Sequence, residues 1–245
     1  YKTLFSVQSK IVIITGSNRG NGLAIAKGLT ELGAKVVRVD IEFSNNIGTD
    51  DFVCDLSRFD YLDQLINKIY KKYKRIDALV NNAGISLETE KPYHEIKNYK
   101  KTIDINLNAA FILSSSVANY MAKERKGSIV NITSLGAERA FPANPGYQVS
   151  KAGLRQLTKS MARDWGHFEL RFNNICPGYM RTKMTEKSYL DKAKSDERIK
   201  QMILKRWGEP FDLVGPTTFL ISDASSYITG SDIYVDGGWT SNGGL

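Results

Sequence analysis

Residues 10–40 read KIVIITGSNRGNGLAIAKGLTELGAKVVRVD. The apolar, β-branched run over 10–15 reads as a strand, and three glycines follow it directly. Apolar residues then recur at three- and four-residue steps over 22–32, the period of a helix with one buried face. A second apolar run over 34–40 closes the unit. Strand, helix, strand in this order makes a parallel pair joined by a crossover helix.

The pattern repeats outward. Further strands are expected at 52–55, 78–81, 128–134, 171–176 and 233–236, with helical stretches at 61–73, 99–122 and 147–166. No linker interrupts the alternation. The reading is α/β: one doubly wound domain over residues 1–245, a seven-stranded parallel sheet with helices on both faces. Ligands of such sheets bind beyond the carboxyl ends of the strands.

Composition narrows the function classes. The chain is 42% hydrophobic and 24% charged, ordinary for a globular protein. No apolar run reaches the length of a membrane span, and YKTLFSVQSK at the start lacks the apolar stretch of a signal peptide. The sequence begins without Met, so a few residues upstream are expected. Cys54 and Cys176 lie far apart in apolar runs, which fits two free thiols in a reducing cytoplasm better than a disulfide. His94 and His167 have no ligand spacing around them, so neither a metal site nor a His-based triad is expected. Asn131-Ile132-Thr133 matches a glycosylation sequon inside a strand and reads as chance. The net charge of +8 gathers at 71–75, 97–101 and 123–126, on helices. These read as solvated faces rather than a nucleic-acid surface.

The turn after the first strand is Thr15-Gly16-Ser17-Asn18-Arg19-Gly20-Asn21-Gly22. Glycines between a strand and a helix let the backbone approach a pyrophosphate, which the helix N-terminus attracts. No Lys-Ser/Thr ends the loop, so a nucleoside-triphosphate P-loop is excluded. Asp40 closes the second strand eighteen residues after Gly22, where a carboxylate can take the two hydroxyls of an adenosine ribose. A 2′-phosphate there would meet negative charge, which favours NAD. Arg19 pulls toward NADP, because its guanidinium could pair with that phosphate. Asp55 with Leu56, and Asn82-Ala83-Gly84, end later strands at the same edge. Asp55 reads equally as a helix cap.

Tyr147 and Lys151 stand four apart at the start of a helical stretch and project from one face. An ammonium and a cationic nicotinamide beside the phenol would favour its ionised form, making Tyr147 a proton donor and acceptor for an alcohol. Ser134, thirteen residues earlier at a strand end, could hold the substrate oxygen. Asn106 lies in an apolar helical run and reads either as a satisfied buried amide or as a water-holding link to Lys151.

Together these motifs resemble the short-chain dehydrogenase/reductase family, in its form of about 250 residues and a Rossmann-type domain. The residues that carry the likeness are TGSNRGNG at 15–22, Asp40, CDL at 54–56, NNAG at 81–84, INLNAAF at 105–111 and NITS at 131–134. YQVSK at 147–151, NICPGYMRT at 174–182 and ITGSDIYVDGGW at 228–239 complete it. The resemblance implies Asn106, Ser134, Tyr147 and Lys151 as the catalytic set. It implies cofactor contacts from Gly16, Asn18, Arg19, Gly20, Gly22, Asp40, Asp55, Leu56, Asn82, Ala83, Gly84, Tyr147, Lys151, Pro177, Gly178, Met180 and Thr182. It also implies a homotetramer, with the C-terminal strand and its GGW tail packed between subunits. Asn21 departs from the family, which has an apolar residue there.

The reaction implied is hydride exchange between NAD(H), or less favourably NADP(H), and a secondary alcohol or ketone. A sugar, polyol or sugar derivative is the expected substrate, and a ketoacyl-type reductase using NADPH is the alternative. A nucleotide-sugar epimerase would need a G-x-x-G-x-x-G turn and a C-terminal substrate domain, which the chain lacks. A cofactor-binding protein without turnover is disfavoured by the intact Ser134, Tyr147 and Lys151. Residues 183–206 are expected to form a lid over the substrate. They hold eight Lys and Arg against four Asp and Glu, an excess that reads mainly as an outer face and secondarily as a field for an anionic substrate.

Overall fold

Val12 and Ile14 of β1 (Ile11–Thr15) face one layer of helices, and Ile11 and Ile13 the other, so the strand is buried throughout. A strand covered on both sides reads as a continuous apolar run rather than an alternation. The computed structural model describes residues 3–43, 47–87 and 95–242, and His94 lies outside them. After β1 come α1 (Gly20–Glu31), β2 (Lys35–Asp40), β3 (Asp51–Val53), α2 (Leu62–Tyr73) and β4 (Ala78–Asn81). The chain continues through α3 (Ile96–Ile103), a π-helical turn at Asp104–Asn108, α4 (Ala109–Glu124), β5 (Gly127–Ile132), α5 (Pro145–Trp165) and β6 (Leu170–Pro177). It ends with α6 (Glu186–Leu190), α7 (Lys192–Gln201), α8 (Val214–Ile221) and β7 (Asp232–Val235).

The seven strands pair in parallel in the order β3-β2-β1-β4-β5-β6-β7. One face packs against α2, α4 and α5 through Leu62, Ile66, Leu113, Val117 and Met161. The other packs against α1 and α8 through Ile25, Leu29, Leu220 and Ile221. Chain direction across the sheet reverses between β1 and β4. Their carboxyl ends therefore open a crevice that no crossover covers.

Two elements differ from expectation. The single helix expected over 99–122 is broken by the π turn at Asp104–Asn108, one extra residue that re-aims Asn106. α8 was not expected, because VGPTTFLI carries a proline and two threonines. Pro216 sits in the first turn, where its missing N–H costs nothing. The Thr217 and Thr218 hydroxyls donate to the carbonyls of Leu213 and Val214 at 2.7 and 2.9 Å, which satisfies them inside the core.

A polar row crosses the sheet. Asn81, Asn131, Asn174 and Asp232 are register partners on β4, β5, β6 and β7. Asn81 Nδ2 donates to Asn131 Oδ1 at 2.8 Å. Thr158 of α5 bridges Asn131 and Asn174, at 2.7 and 2.6 Å. Asn174 Nδ2 then donates to Asp232 at 2.7 Å. Asn131 is 0% exposed, so the sequon is a core amide. In the basic clusters, Lys72 pairs with Asp50, Arg75 with Asp77, Arg125 with Glu169 and Lys126 with Asp223. Cys176 is buried, Cys54 half-buried, and both are free. Among the described residues no helix is long and apolar enough to cross a membrane.

Candidate active site

At one end of the crevice the backbone dominates. Gly16 has φ +65°, and a Cβ there would lie 2.8 Å from the Cα of Ala83. A Cβ on Gly22 would sit 2.1 Å from the Gly16 carbonyl oxygen, so neither position accepts a side chain. Thr15 Oγ1 receives the N–H groups of Asn82 and Ala83, both at 3.1 Å, which stitches the ends of β1 and β4 together. α1 starts at Gly20 with no side-chain cap and no acidic residue in its first turn. Its first N–H groups and the positive end of its dipole therefore face the crevice. That donor set fits the diphosphate of a dinucleotide.

Asp40 ends β2, its carboxylate accepting from Asn18 N at 2.7 Å and Ile41 N at 2.8 Å. Arg19 reaches Glu42 at 3.4 Å, both side chains exposed. Asp55 lies two residues past β3 rather than in it. Its carboxylate accepts from the backbone and hydroxyl of Ser57 at 2.9 and 2.8 Å, and these bonds hold it below the usual carboxylate range. It is thus a turn carboxylate, not a helix cap, and a crevice wall as well.

At the other end side chains dominate. Ser134 follows β5 and caps a short 3₁₀ turn, Leu135–Ala137, accepting from Gly136 N at 3.0 Å. Asn144 caps α5, its Oδ1 accepting from Tyr147 N at 3.2 Å, with Pro145 in the first turn. This puts Tyr147 at the mouth of α5 and Lys151 one turn deeper, 3% exposed. Lys151 Nζ donates to the Ile132 carbonyl at 2.7 Å. Burial pulls its ammonium down to about 8. Burial also pushes the Tyr147 phenol up, and a hydrogen bond with the Ser134 hydroxyl pulls it part of the way back. The sequence reading gave that lowering to Lys151. In the structure the ammonium is directed at a backbone carbonyl, 5.8 Å from the Tyr147 ring centroid, and the Ser134 hydroxyl is the neighbour that lowers the phenol.

Asn106 is 1% exposed and fully bonded: Oδ1 accepts from Ile85 N at 2.8 Å, and Nδ2 donates to Ile85 O at 3.0 Å and Ser150 Oγ at 3.1 Å. A Cβ on Gly84 would lie 3.3 Å from Asn106 Oδ1 and 3.5 Å from Lys151 Nζ, so both border one gap at that glycine.

The two ends share one cavity of about 290 Å³. Gly16, Arg19, Gly20, Asp40, Asp55 and Leu56 line it at one end. Asn82, Ala83 and Gly84 follow, then Ser134, Tyr147, Lys151, Pro177, Gly178, Met180 and Thr182. Asn18, Gly22 and Asn106 stand behind the wall: Asn18 N bonds Asp40, Gly22 packs on Gly16, and Asn106 braces Ile85. The sequence reading missed Ile85 and Ile105 on the lining, and it had Lys183, Met184 and Thr185 only as part of the lid expected over 183–206. Asn21 also lines the cavity, its Oδ1 buried without a partner among the described residues.

The sequence model of a family described as enoyl-(acyl carrier protein) reductase matches residues 16–240. A 2-dehydro-3-deoxy-D-gluconate 5-dehydrogenase of Pseudoalteromonas atlantica is 35% identical, covering 96% of this chain and 97% of its own. A 3-oxoacyl-acyl-carrier-protein reductase of Thermotoga maritima is 33% identical over 95% of this chain and 98% of its own. The crystal structure of a gluconate 5-dehydrogenase from Burkholderia cenocepacia, in complex with NADP and tartrate, superposes with a TM-score of 0.91. It is 32% identical and covers 98% of each chain. The fold and the crevice define a nicotinamide-dependent oxidoreductase that acts on CH–OH groups. The chain belongs to the short-chain dehydrogenase/reductase family.

Proposed function

We propose that this chain interconverts a secondary alcohol and a ketone on a sugar acid, with NAD(H) as cofactor and Tyr147 as the group that moves the proton. The observation that carries the reading is the opening of Ser134, Tyr147 and Lys151 onto the cavity that also contains the glycine turn and Asp40. The glycine turn and the α1 N-terminus hold the diphosphate, Asp40 takes the adenosine ribose, and Pro177, Gly178, Met180 and Thr182 wall the nicotinamide. Bound there, the dinucleotide supplies or accepts the hydride. Ser134 fixes the substrate oxygen, and Tyr147 gives it a proton in reduction or removes one in oxidation. Lys151 sets the field at the phenol and the cofactor ribose, and Asn106 positions the turn beside it.

The preference for NAD rests on Asp40 and on Glu42, which engages Arg19 and so competes for the one guanidinium that lines the cavity among the described residues. The sugar-acid reading rests on Lys183. Among the described residues Asp40 and Asp55 are the carboxylates lining the cavity, beside the glycine turn. Lys183 also lines the cavity and forms no ion pair among the described residues, which favours a substrate carboxylate. Residues 183–206 act as the lid of a single domain that takes in the whole chain. Exposed Phe111 on α4 and Val149 on α5 support assembly into a homotetramer, and the two free thiols support a cytoplasmic setting.

The test is turnover by the purified protein of gluconate and related sugar acids, neutral alditols and a 3-ketoacyl thioester, each with NAD(H) and NADP(H). The reading expects sugar acids with NAD(H) to lead. Preference for the thioester would favour the ketoacyl reductase instead.

A further inference from the structure

The segment that leaves Ser134 and returns at Asn144 has little structure of its own beyond the turn at Leu135–Ala137. It also contains Ala143 at φ +70°, a left-handed conformation that a side chain disfavours. Such a conformation persists only where its surroundings over-determine it. Gln148 of α5 brackets Ala143, and Arg155 of α5 holds the segment nearer Ser134. Gln148 clasps the segment's backbone: Oε1 accepts from Phe141 N at 2.8 Å, and Nε2 donates to Asn144 O at 3.1 Å and to Phe141 O. Arg155 joins Glu138 at 2.7 Å and Asp232 at 2.6 Å. Glu138 also accepts from the Tyr234 hydroxyl, and Asp232 from Asn174, so this second clasp is anchored in the polar row of the sheet.

Gln148 and Arg155 lie three residues before and four after Lys151, on the same side of α5. The helix that carries Tyr147 and Lys151 therefore grips, at two points, the segment that carries Ser134. The side chains of Arg155, Glu138 and Asp232 are 26%, 29% and 10% exposed, sheltered enough for the pairs to resist screening.

We propose that Gln148 and Arg155 are positioning residues that fix the gap between the Ser134 hydroxyl and the Tyr147 phenol, and with it the seat of the substrate oxygen. The proposal rests on the assignment of Ser134 and Tyr147 as the reacting pair. Displacement of a catalytic group by about 1 Å costs on the order of a hundredfold in rate. Among the described residues the groups near the phenol are the Ser134 hydroxyl and the Lys151 ammonium, and only the first is carried by the gripped segment.

The experiment uses full-length Gln148→Ala, Arg155→Met and the milder Glu138→Gln and Arg155→Lys, with two readouts. One is oxidation of D-gluconate with NAD. The other needs no substrate: ¹³C-tyrosine NMR titration of the Tyr147 phenol, assigned from the Tyr147→Phe variant. Gln148→Ala and Arg155→Met are expected to lower kcat roughly tenfold to a hundredfold with KM for NAD unchanged. Their phenol should titrate at higher pH, because the Ser134 hydroxyl that lowers it is displaced. Arg155→Lys should recover part of both effects, since an ammonium meets one carboxylate where the guanidinium meets two. Folded variants whose phenol titrates as in the wild type and whose kcat is unchanged overturn the proposal. Should Gln148→Ala or Arg155→Met fail to fold, the same criterion applies to Glu138→Gln, whose phenol is also expected to titrate at higher pH. A Tyr147→Phe variant that still turns over sinks instead the assignment of the reacting pair.

Discussion

The two ends of the cavity are built from different materials. At the adenosine end, position comes from the backbone: a left-handed Gly16, a close Gly22 and an uncapped α1, with Asp40 and Asp55 at its rim. At the chemical end, position comes from side chains that meet across long sequence gaps, and the charge is a buried cation, Lys151. Changes in side chain at the first end should therefore alter which dinucleotide binds. At the second they should alter rate and stability.

Tyr147→Phe tests the contrast most strongly. It removes the proton-carrying oxygen and leaves the backbone-built end untouched. Loss of kcat by roughly 10²- to 10⁴-fold is expected, the range of a general acid–base group, with NADH affinity measured by fluorescence titration nearly unchanged. A variant within a few-fold of wild type would remove Tyr147 from the chemistry.

Lys151→Met addresses stability. Below pH 8 the folded protein keeps a buried ammonium that the unfolded chain does not have to bury. A fall from 10.5 to about 8 corresponds to a penalty of about 3 kcal/mol. Between those values the folded state sheds its proton first, the unfolded state binds more, and wild-type stability climbs with pH. The Cys176 thiol, pushed up to about 11 by burial, acts in the opposite sense above its ordinary 9. The clean window is thus neutral pH to 9. Loss of the bond to Ile132 subtracts about 1 kcal/mol. Lys151→Met should be inactive, yet about 2 kcal/mol more stable than wild type at neutral pH, with an advantage that shrinks toward pH 9. Urea unfolding at the two pH values checks this, and equal destabilisation at both would contradict it.

The backbone-built end was legible in the sequence because its signals are local. The glycines at 16, 20 and 22 and the acid at 40 lie in one strand–helix–strand unit; the structure brings Gly16, Gly20 and Asp40 to one crevice and packs Gly22 behind Gly16. Ser134, Tyr147 and Lys151 were legible through family spacing. Their supports were not: Glu138 and Arg155, or Asn174 and Asp232, carry no mark of their pairing until strands and helices pack. The π turn at Asp104–Asn108 is one added residue with no composition of its own, and α8 was hidden by Pro216 and its threonines. The basic excess in 183–206 read mainly as an outer face, and four of its cations are engaged away from the cavity. Lys194 pairs with Asp191, Arg206 with Asp212, Lys205 Nζ donates to Lys200 O, and Arg198 stacks on Tyr179 at 4.4 Å.

Asp40→Ala probes the adenosine end. Bonds from a charged group contribute about 1.5–3 kcal/mol, so KM for NAD should rise roughly tenfold to a hundredfold. KM for NADP should fall, because the repulsion of its phosphate is relieved. Asp40 also receives Asn18 N and Ile41 N, so Asp40→Asn, which retains an acceptor, separates the turn from the charge. Wild-type preference for NADP in the same assay would overturn the weight given to Asp40 and return it to Arg19.

The smallest effect expected comes from Lys183, the lid cation that lines the cavity. Its neighbours in 183–206 that pair or stack, as above, contribute little field at the substrate. Its own ammonium is exposed, which limits it to a modest and screened attraction. Lys183→Met should lower kcat/KM for gluconate by roughly threefold to fivefold at low salt, an energy of about 1 kcal/mol, and leave a neutral alditol unchanged. As ionic strength rises and the Debye length shortens to about 8 Å, wild-type and variant efficiencies for gluconate should converge. A lysine that served the diphosphate of the cofactor would behave differently. The variant would then weaken NADH binding and slow both substrates alike, and the carboxylate reading of that end of the cavity would fall with it.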